Sequence, residues 1–295
     1  MLKRKGKMML AVLVAMLMLL TACSQPAPAP AAATEPAEAP AETPAETPAE
    51  AAGGKIGDVQ AAGKIVLGTS ADYPPYEFIV EVDGNLEVVG FDIEIAREIA
   101  NDLGVELEIR DMDFDGLLAA LVAGNIDFIV AGMVPTEVRK ESVDFSVPYY
   151  RAEQRFLVRA ADAAELSTIE ALAGKRIGAQ ISTVQETIAT EQIPDAGELR
   201  FLSRINDLVM DLKSDRIDGI VLVGPVAASY AKADAQLAVS DISFGQEDGV
   251  AIAIAKGNDD LTEAINATLE RLMADDLITQ FIAEATALAD EQQVE

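Results

Sequence analysis

The chain has 295 residues, a formal net charge of −28, no His, no Trp and a single Cys. Without an imidazole group, a histidine base, a histidine-ligated zinc ion and a Ser-His-Asp triad are excluded, and one Cys cannot form a disulfide within the chain. So acidic a surface repels phosphate groups, which argues against a nucleic acid as a partner. Half of the residues are hydrophobic, so the chain can bury the core of one or two domains.

The first 22 residues have the pattern of an export signal. Four of the first seven residues are Lys or Arg, and an apolar run follows from residue 8 to residue 20. The run is short for a hydrocarbon core of ~30 Å, but its length suits a signal peptide. We therefore predict that residues 1–22 form a signal peptide.

The sequence Leu20-Thr21-Ala22-Cys23 resembles a bacterial lipobox, in which the Cys becomes the lipidated first residue of the mature protein. The alternative is an ordinary signal peptide followed by a chance Cys. Because the one Cys of the chain stands where a lipobox needs it, we predict lipidation of Cys23. The protein would then lie on the extracytoplasmic face of the cell membrane, attached through its N-terminal lipid only.

Residues 23–62 are predicted to form the lipidated Cys and a disordered tether. From residue 24 the segment consists mainly of Ala, Pro, Glu and Thr, and it contains seven of the 13 prolines. Proline blocks helices, and the segment has almost nothing large to bury. Repulsion between its Glu residues would keep the spacer extended.

The remainder of the chain alternates predicted strands with predicted helices. In chain order, strands are predicted at residues 65–68, 105–110, 127–131, 156–159, 176–179, 199–202, 219–223 and 250–255. Helices are predicted at residues 91–103 and 116–123, from Thr136 to about residue 142, and at 167–174, and further helices begin near Thr183, Asn206, Pro225 and Asn258. Ser167 with Glu170, and Thr183 with Glu186, are predicted capping boxes. This alternation predicts α/β packing in two lobes.

Two of the predicted helices begin where an anion could bind. Gly132 follows a strand, and Arg139 lies about one turn into the next helix. Free amides at a helix N-terminus and a bidentate guanidinium group suit a carboxylate. The alternative is that Arg139 pairs with Glu137 or Asp144 on the surface. The helix that begins at Thr183 offers similar amides, for which a plain capping box is the alternative.

Aromatic residues follow two of the predicted strands. Tyr73 comes after the first strand, next to two prolines, and Phe114 comes after another strand. In open α/β sheets ligands bind beyond the carboxyl ends of strands, where rings can stack on a ligand. We predict that Tyr73 and Phe114 face a ligand and that Tyr76 and Phe78 cover the core.

The sequence resembles a known family, the solute-binding proteins of ABC importers for polar amino acids, which have the type II periplasmic-binding fold. The similarity runs from about residue 64 to about residue 287. Its motifs are Gly68-Thr69-Ser70-Ala71-Asp72-Tyr73-Pro74-Pro75-Tyr76-Glu77-Phe78, Gly90-Phe91-Asp92-Ile93, Phe114-Asp115-Gly116-Leu117, Gly124-Asn125-Ile126-Asp127, Arg139-Lys140-Glu141-Ser142-Val143-Asp144-Phe145-Ser146, Gly174-Lys175-Arg176-Ile177-Gly178 and Thr183-Val184-Gln185-Glu186. Each motif is weak alone, but together and in order they are specific to the family.

The resemblance implies a hinged pair of lobes with the ligand between them. Lobe one would comprise residues 63–151 and 248–288, lobe two residues 152–247, and a tail residues 289–295. The chain would cross between the lobes near residues 151–154 and near residues 244–249, and closure would be a hinge motion.

The resemblance also implies how a ligand's α-amino acid group would be bound. Arg139 would bind the carboxylate, and the backbone around Val134 and Thr183 would donate N–H groups to it. Gly132 would offer its carbonyl group to the ammonium.

The resemblance implies that three further residues would contact the side chain of the ligand and that a fourth would contact the ligand. Tyr73 and Phe114 resemble the family's aromatic pair that encloses this side chain. Ser70 occupies a position that often contacts it, and Gln185 lies at the rim of lobe two.

Two departures from the family pattern concern the ammonium. Val134 replaces the usual Ser or Thr, and Val223 replaces the usual Asp or Glu. Burying an ammonium without a counter-charge is costly. Asp72 or another acid could substitute, the ligand could be a carboxylate without an α-amine, or the alignment around Val223 could be shifted by one residue.

The function implied is an extracytoplasmic binding lipoprotein that captures an amino acid or a related small carboxylate and delivers it to an ABC permease. We expect a monomer with no cofactor, no metal ion and no enzymatic activity. The alternatives are an enzyme on the same fold, resembling cyclohexadienyl dehydratases and using Glu77 or Asp72 as the general acid or base, and a ligand sensor subunit.

Overall fold

The computed structural model describes residues 53–291, except residues 83 and 247. The predicted signal peptide, Cys23 and the tether up to residue 52 lie outside the described residues. In the described part of the chain, no helix is both long and apolar enough to cross a membrane.

The first of two five-stranded sheets forms the centre of lobe one. β1 (Lys64–Thr69) lies between β5 (Glu106–Asp111) and β6 (Phe128–Ile129), parallel to both. β13 (Ala253–Ala255) pairs antiparallel with β6 on one side and with β7 (Val143–Phe145) on the other. Five of the six residues of β1 are buried, as expected of a parallel strand covered on both faces.

A second, antiparallel sheet and six helices complete lobe one. The sheet consists of β2 (Asp72–Tyr73), β3 (Glu77–Val82) and β4 (Asn85–Val89). The helices are α1 (Gly54–Ala62), α2 (Phe91–Leu103), α3 (Phe114–Val122), α4 (Glu137–Lys140), α8 (Asp259–Ala274) and α9 (Leu277–Glu291). α2 has the bounds predicted from its apolar stripe, and Gly104 ends it in the left-handed conformation with φ 71°.

The second five-stranded sheet forms lobe two. Its strands stand in the order β10 (Glu198–Leu202), β9 (Arg176–Gln180), β11 (Gly219–Val223), β8 (Glu153–Arg159) and β12 (Leu237–Gln246). Its helices are α5 (Val184–Glu191), α6 (Ile205–Lys213) and α7 (Gly224–Ala233), with short 3₁₀ turns at Ala160–Asp162 and Ile169–Leu172. The predicted fold class of two α/β lobes is confirmed.

Two chain segments connect the lobes. The chain leaves the first sheet after Phe145 and enters the second at Glu153, and it returns between Gln246 and Ala253. The two segments contact each other through an antiparallel bridge between Tyr150 and Val250, in which the Val250 amide donates to the Tyr150 carbonyl at 2.9 Å. The lobes are therefore joined where the two crossings run side by side.

The predicted tether is wrong over its last residues, because α1 covers Gly54–Ala62. Val59 is only 3% exposed and belongs to the main core. The ammonium of Lys55 lies 2.5 Å from the Asp127 carboxylate, and the Ile56 amide donates to Asp260 at 2.9 Å. These partners lie far along the chain, so the local composition does not reveal the helix.

Other predicted elements differ in detail. Thr168, not Ser167, caps the 3₁₀ turn by accepting from the Ala171 amide, while the Ser167 hydroxyl donates to the Ala164 carbonyl. The strands predicted at 127–131 and 250–255 are shorter, and the hairpin β3–β4, β12 and α9 were not predicted.

Candidate functional site

One cavity between the lobes brings together all eight site residues predicted from the sequence. Lobe one contributes Ser70, Tyr73, Phe114, Gly132, Val134 and Arg139, and lobe two contributes Thr183 and Gln185. Asp72, Glu77, Ala131, Gln180 and Val184 also line it. The space measures about 350 Å³, counted with its opening to solvent.

Arg139 lies in the cavity and not on the surface. Its side chain is only 8% exposed, and its Nη1 and Nη2 donate to the carbonyl oxygens of Val134 and Ser182, each at 2.7 Å. Among the described residues it makes no ion pair with a carboxylate, and burial lowers the pKa of its guanidinium to about 10. Glu137, the surface alternative, pairs with Lys140 instead. A buried cation without an anion is suited to a ligand's carboxylate.

The turn before α4 needs a glycine. Gly132 has φ 53°, and a Cβ there would stand 3.2 Å from Cε1 of Tyr73 and 3.4 Å from Cδ1 of Tyr76. Its amide donates to the Asp92 carboxylate at 2.8 Å. The backbone at this position can therefore approach both the rings and the cavity closely.

The two predicted ligand-facing aromatic residues line the cavity, and the two predicted core residues do not. The Arg139 guanidinium carbon lies 5.3 Å from the centroid of the Phe114 ring, within cation–π range. Tyr76 is fully buried and packs on Phe91 at a centroid distance of 4.4 Å, and Phe78 belongs to a separate core cluster.

Lobe two presents the N-terminus of α5 to the cavity. Thr183 caps this helix by accepting from the Glu186 amide at 3.3 Å, while the Glu186 carboxylate accepts from the Ser182 amide, one residue earlier than a capping box requires. The Gln185 amide nitrogen donates to the Tyr73 hydroxyl at 3.3 Å, across the cleft, and to Gln154 at 3.0 Å. Gln185 is thus held by contacts with both lobes, whereas Thr183 is held by hydrogen bonds within lobe two.

At the lobe-one wall the cavity is acidic and has unused hydrogen-bonding capacity. Ser70, Asp72 and Glu77 are all at most 4% exposed. The Oγ of Ser70, the Oδ1 of Asp72 and the Oε2 of Glu77 have no hydrogen-bond partner among the described residues. Buried polar atoms without partners are costly unless a ligand supplies them.

The carboxyl groups of this wall resist ionisation while no cation is present. Burial raises the pKa of Asp72 and that of Asp92 to about 6, and it raises the pKa of Glu77 well above its ordinary range. Repulsion from the neighbouring carboxylates of Asp92 and Asp72 also raises the pKa of Glu77. Asp92 also accepts from the Tyr149 hydroxyl at 2.8 Å. A cation beside Glu77 would favour its ionised form.

The two valines that depart from the family pattern lie in different parts of the structure. Val134 lines the cavity, but Val223, only 1% exposed, is packed in the core at the start of α7 and is not among the lining residues. The acids of the cavity are therefore Asp72 and Glu77. Three lining residues, Ala131, Gln180 and Val184, were not predicted. Ala131 follows the end of β6 and Gln180 is the last residue of β9, so their positions at strand ends could have identified them.

Comparison with known proteins assigns the chain to a family. Residues 65–284 match the model of the bacterial extracellular solute-binding proteins, family 3. The chain belongs to this family. The sequence-based prediction of an extracytoplasmic solute-binding protein is confirmed.

Relatives of this family 3 binding protein bind several amino acids. The arginine-binding extracellular protein ArtP of Bacillus subtilis is 38% identical over 212 residues, which are 71% of this chain and 80% of ArtP. The L-cystine-binding protein TcyJ of Escherichia coli is 32% identical over 225 residues, which are 75% of this chain and 82% of TcyJ. The substrate-binding protein AbpA of Streptococcus pneumoniae, solved with L-arginine, has a TM-score of 0.76 and 33% identity, covering 81% of this chain and 99% of AbpA.

Proposed function

We propose that this protein binds an amino acid with a cationic side chain, of the arginine or lysine type, and delivers it to an ABC permease. The observation that carries the proposal is the set of ionisable side chains that line the cavity. Among the residues that the structure describes, its lining has one basic side chain, Arg139, and two acidic ones, Asp72 and Glu77. With all three ionised, one negative charge is in excess, which matches a ligand with one carboxylate and two cationic groups.

Arg139 is the proposed carboxylate site. Its guanidinium group is buried, and in the described part of the chain it contacts only uncharged groups: two carbonyl oxygens and the Phe114 ring. A carboxylate that entered beside it would form charge-assisted hydrogen bonds to the planar guanidinium. The α5 N-terminus at Thr183 would add a favourable dipole from lobe two.

Ser70, Asp72 and Glu77 are the proposed cation sites. Each has one buried oxygen without a partner among the described residues, and a guanidinium or ammonium group has donors for all of them. Because Val134 and Val223 give the α-ammonium no acid, one of the two cavity acids takes this role. An amino acid with a neutral side chain would leave the second acid buried without a cation, which is costly.

Lipidation of Cys23 is part of the proposal. It rests on the lipobox-like sequence before Cys23 and on the preceding basic and apolar segments. A lipid at this position would attach a binding protein to the membrane that contains its permease. We further propose that the protein acts as a monomer, since each chain contributes both walls of its own cavity.

The test is a thermal-shift screen followed by calorimetry. We expect L-arginine or L-lysine to raise the melting temperature more than L-citrulline, L-glutamine, L-histidine or L-cystine, since a ligand at a hundred times its Kd stabilises by about 2.7 kcal/mol. A guanidino acid without the α-amine tests the ammonium contact. Preference for a neutral amino acid would contradict the cationic ligand, and turnover of prephenate or arogenate would contradict the transport function.

A further inference from the structure

Asp72 belongs to lobe one, but its carboxylate caps a helix of lobe two. The Asp72 Oδ2 accepts hydrogen bonds from the amides of Ile205 at 2.7 Å and Asn206 at 3.4 Å, at the N-terminus of α6. The residue in the N-cap position is Arg204, whose side chain does not cap the helix. A carboxylate at this end satisfies free N–H groups and interacts favourably with the helix dipole.

The same carboxylate lies at the wall of the ligand cavity. Asp72 is 4% exposed and lines the cavity, and its Oδ1 has no partner among the described residues. One oxygen therefore touches lobe two, while the other is available to a ligand.

We propose that Asp72 couples the positive charge of the ligand to closure of the lobes. A cationic group beside Oδ1 keeps the carboxylate ionised, and the ionised Oδ2 holds the N-terminus of α6 against lobe one. The inference rests on the proposed function, because it requires a cationic ligand, and it adds that one residue both contacts the ligand and stabilises the closed state.

Other hydrogen bonds between the lobes lie beside Asp72. The Tyr230 hydroxyl, from α7, donates to the Asp72 carbonyl oxygen at 2.8 Å. Arg204 donates from lobe two to Asp111 at 2.9 Å and to Asp113 at 2.6 Å. The N-terminus of α6 is thus where lobe two is held against lobe one.

The charge balance at Asp72 favours a cationic ligand there. Burial raises its pKa to about 6, Asp111 raises it further, and only Arg204 and the α6 amides lower it. A neutral Asp72 would accept from the amides more weakly than an ionised one. A ligand cation at Oδ1 compensates the burial and strengthens the cap.

The experiment compares Asp72→Asn and Asp72→Ala with a matched control, Asp113→Asn, in the full chain. Asp113 pairs with Arg204 but does not line the cavity. Calorimetry with L-arginine and its neutral analogue L-citrulline measures affinity, and hydrogen exchange of the Ile205 and Asn206 amides measures closure.

We expect Asp72→Asn to weaken arginine binding tenfold or more and citrulline binding less than threefold, whereas Asp113→Asn weakens both by the same factor. Arginine should slow exchange of the two amides at least tenfold in the unsubstituted protein and not in Asp72→Ala. Equal losses for both ligands in Asp72→Asn, or unchanged protection in Asp72→Ala, would overturn this inference alone. If the unsubstituted protein bound neither arginine nor lysine, the proposed function would fall with it.

Discussion

Arg139 on lobe one donates a hydrogen bond of 2.7 Å to the backbone carbonyl of Ser182 on lobe two. The guanidinium group thus spans the cleft at the residue before the N-cap of α5. Ser182 has φ 63°, an uncommon conformation for a residue other than glycine. A carboxylate at this place would contact the cation of one lobe and the helix N-terminus of the other, so that its binding favours the closed state.

Replacing Arg139 with Ala should abolish ligand binding while the fold remains nearly intact. The loss of a charge-assisted bidentate contact in a closed cleft costs about 2–5 kcal/mol, which is a 30-fold or larger loss of affinity. Calorimetry measures the affinity and circular dichroism the fold. The control is Arg97→Ala, because Arg97 is exposed on α2, and affinity of Arg139→Ala equal to that of this control would refute the assignment.

Replacing Glu77 with Gln should weaken the binding of a cationic amino acid and stabilise the ligand-free protein. The amide keeps the shape of the side chain but removes a carboxyl group that burial makes hard to ionise. Thermal melts at pH 7 with and without L-arginine measure both effects. The control Glu81→Gln, at an exposed site on the same strand, should change neither arginine binding nor the melting temperature. A lower melting temperature of ligand-free Glu77→Gln would contradict the expectation that the buried carboxyl group destabilises the ligand-free protein.

The ligand-free protein should lose stability as the pH rises from about 4 to 6.5. Asp72 and Asp92 have folded-state pKa values near 6, above their ordinary value of 3.8. The folded state therefore binds more protons than the unfolded state in this window, and raising the pH disfavours it. Asp218 acts oppositely, because hydrogen bonds from Arg176 lower its pKa, and its contribution is lost only below about pH 4.

Binding of a cation should reverse this trend. A ligand that ionises these carboxyl groups must release their protons, so affinity for L-arginine should rise from pH 5 to pH 7. Calorimetry at pH 6 in two buffers with different ionisation enthalpies measures the proton release directly. Identical heats in the two buffers would show that no proton is released.

Helix α1 should contribute measurably to stability. Val59 is 3% exposed in the core, so Val59→Ala should cost about 1–3 kcal/mol by loss of buried methyl groups. Chemical denaturation measures the free energy of unfolding. Val122→Ala, at a position that is 61% exposed, is the matched control, and equal unfolding free energies of the two variants would mean that α1 does not pack as described.

Replacing Cys23 with Ser should release the protein from membranes. The lipid requires the thiol of this residue, and one N-terminal anchor is the only proposed attachment. Fractionation of cells followed by a salt wash measures it. A Cys23→Ser protein that stays in the washed membrane fraction would count against lipidation.

The sequence predicted the elements whose signals are local. α2 follows from its apolar stripe and Gly104, and β11 from a run of five apolar or small residues, and both have the predicted bounds. The β3–β4 hairpin was missed although an Asp-Gly pair, which is typical of tight turns, stands between its two strands in the sequence. α1 could not be predicted, because its sequence contains two glycines and its stabilising partners are distant.

In the site, the sequence identified residues but not their partners. All eight predicted residues line the cavity, because the strand ends and the helix starts that carry them meet there. The contact of Asp72 with Ile205 joins residues 133 positions apart, and no local pattern predicts which lobe surfaces meet. The unused oxygens of Ser70 and Glu77 likewise follow only from packing in three dimensions.

The position of α1 has a consequence for the mechanics of capture. This helix is fixed to lobe one through Asp127 and Asp260, so it moves with that lobe as one body. Closure over a solute is therefore a rotation of lobe two relative to α1 and the sheet on which it packs.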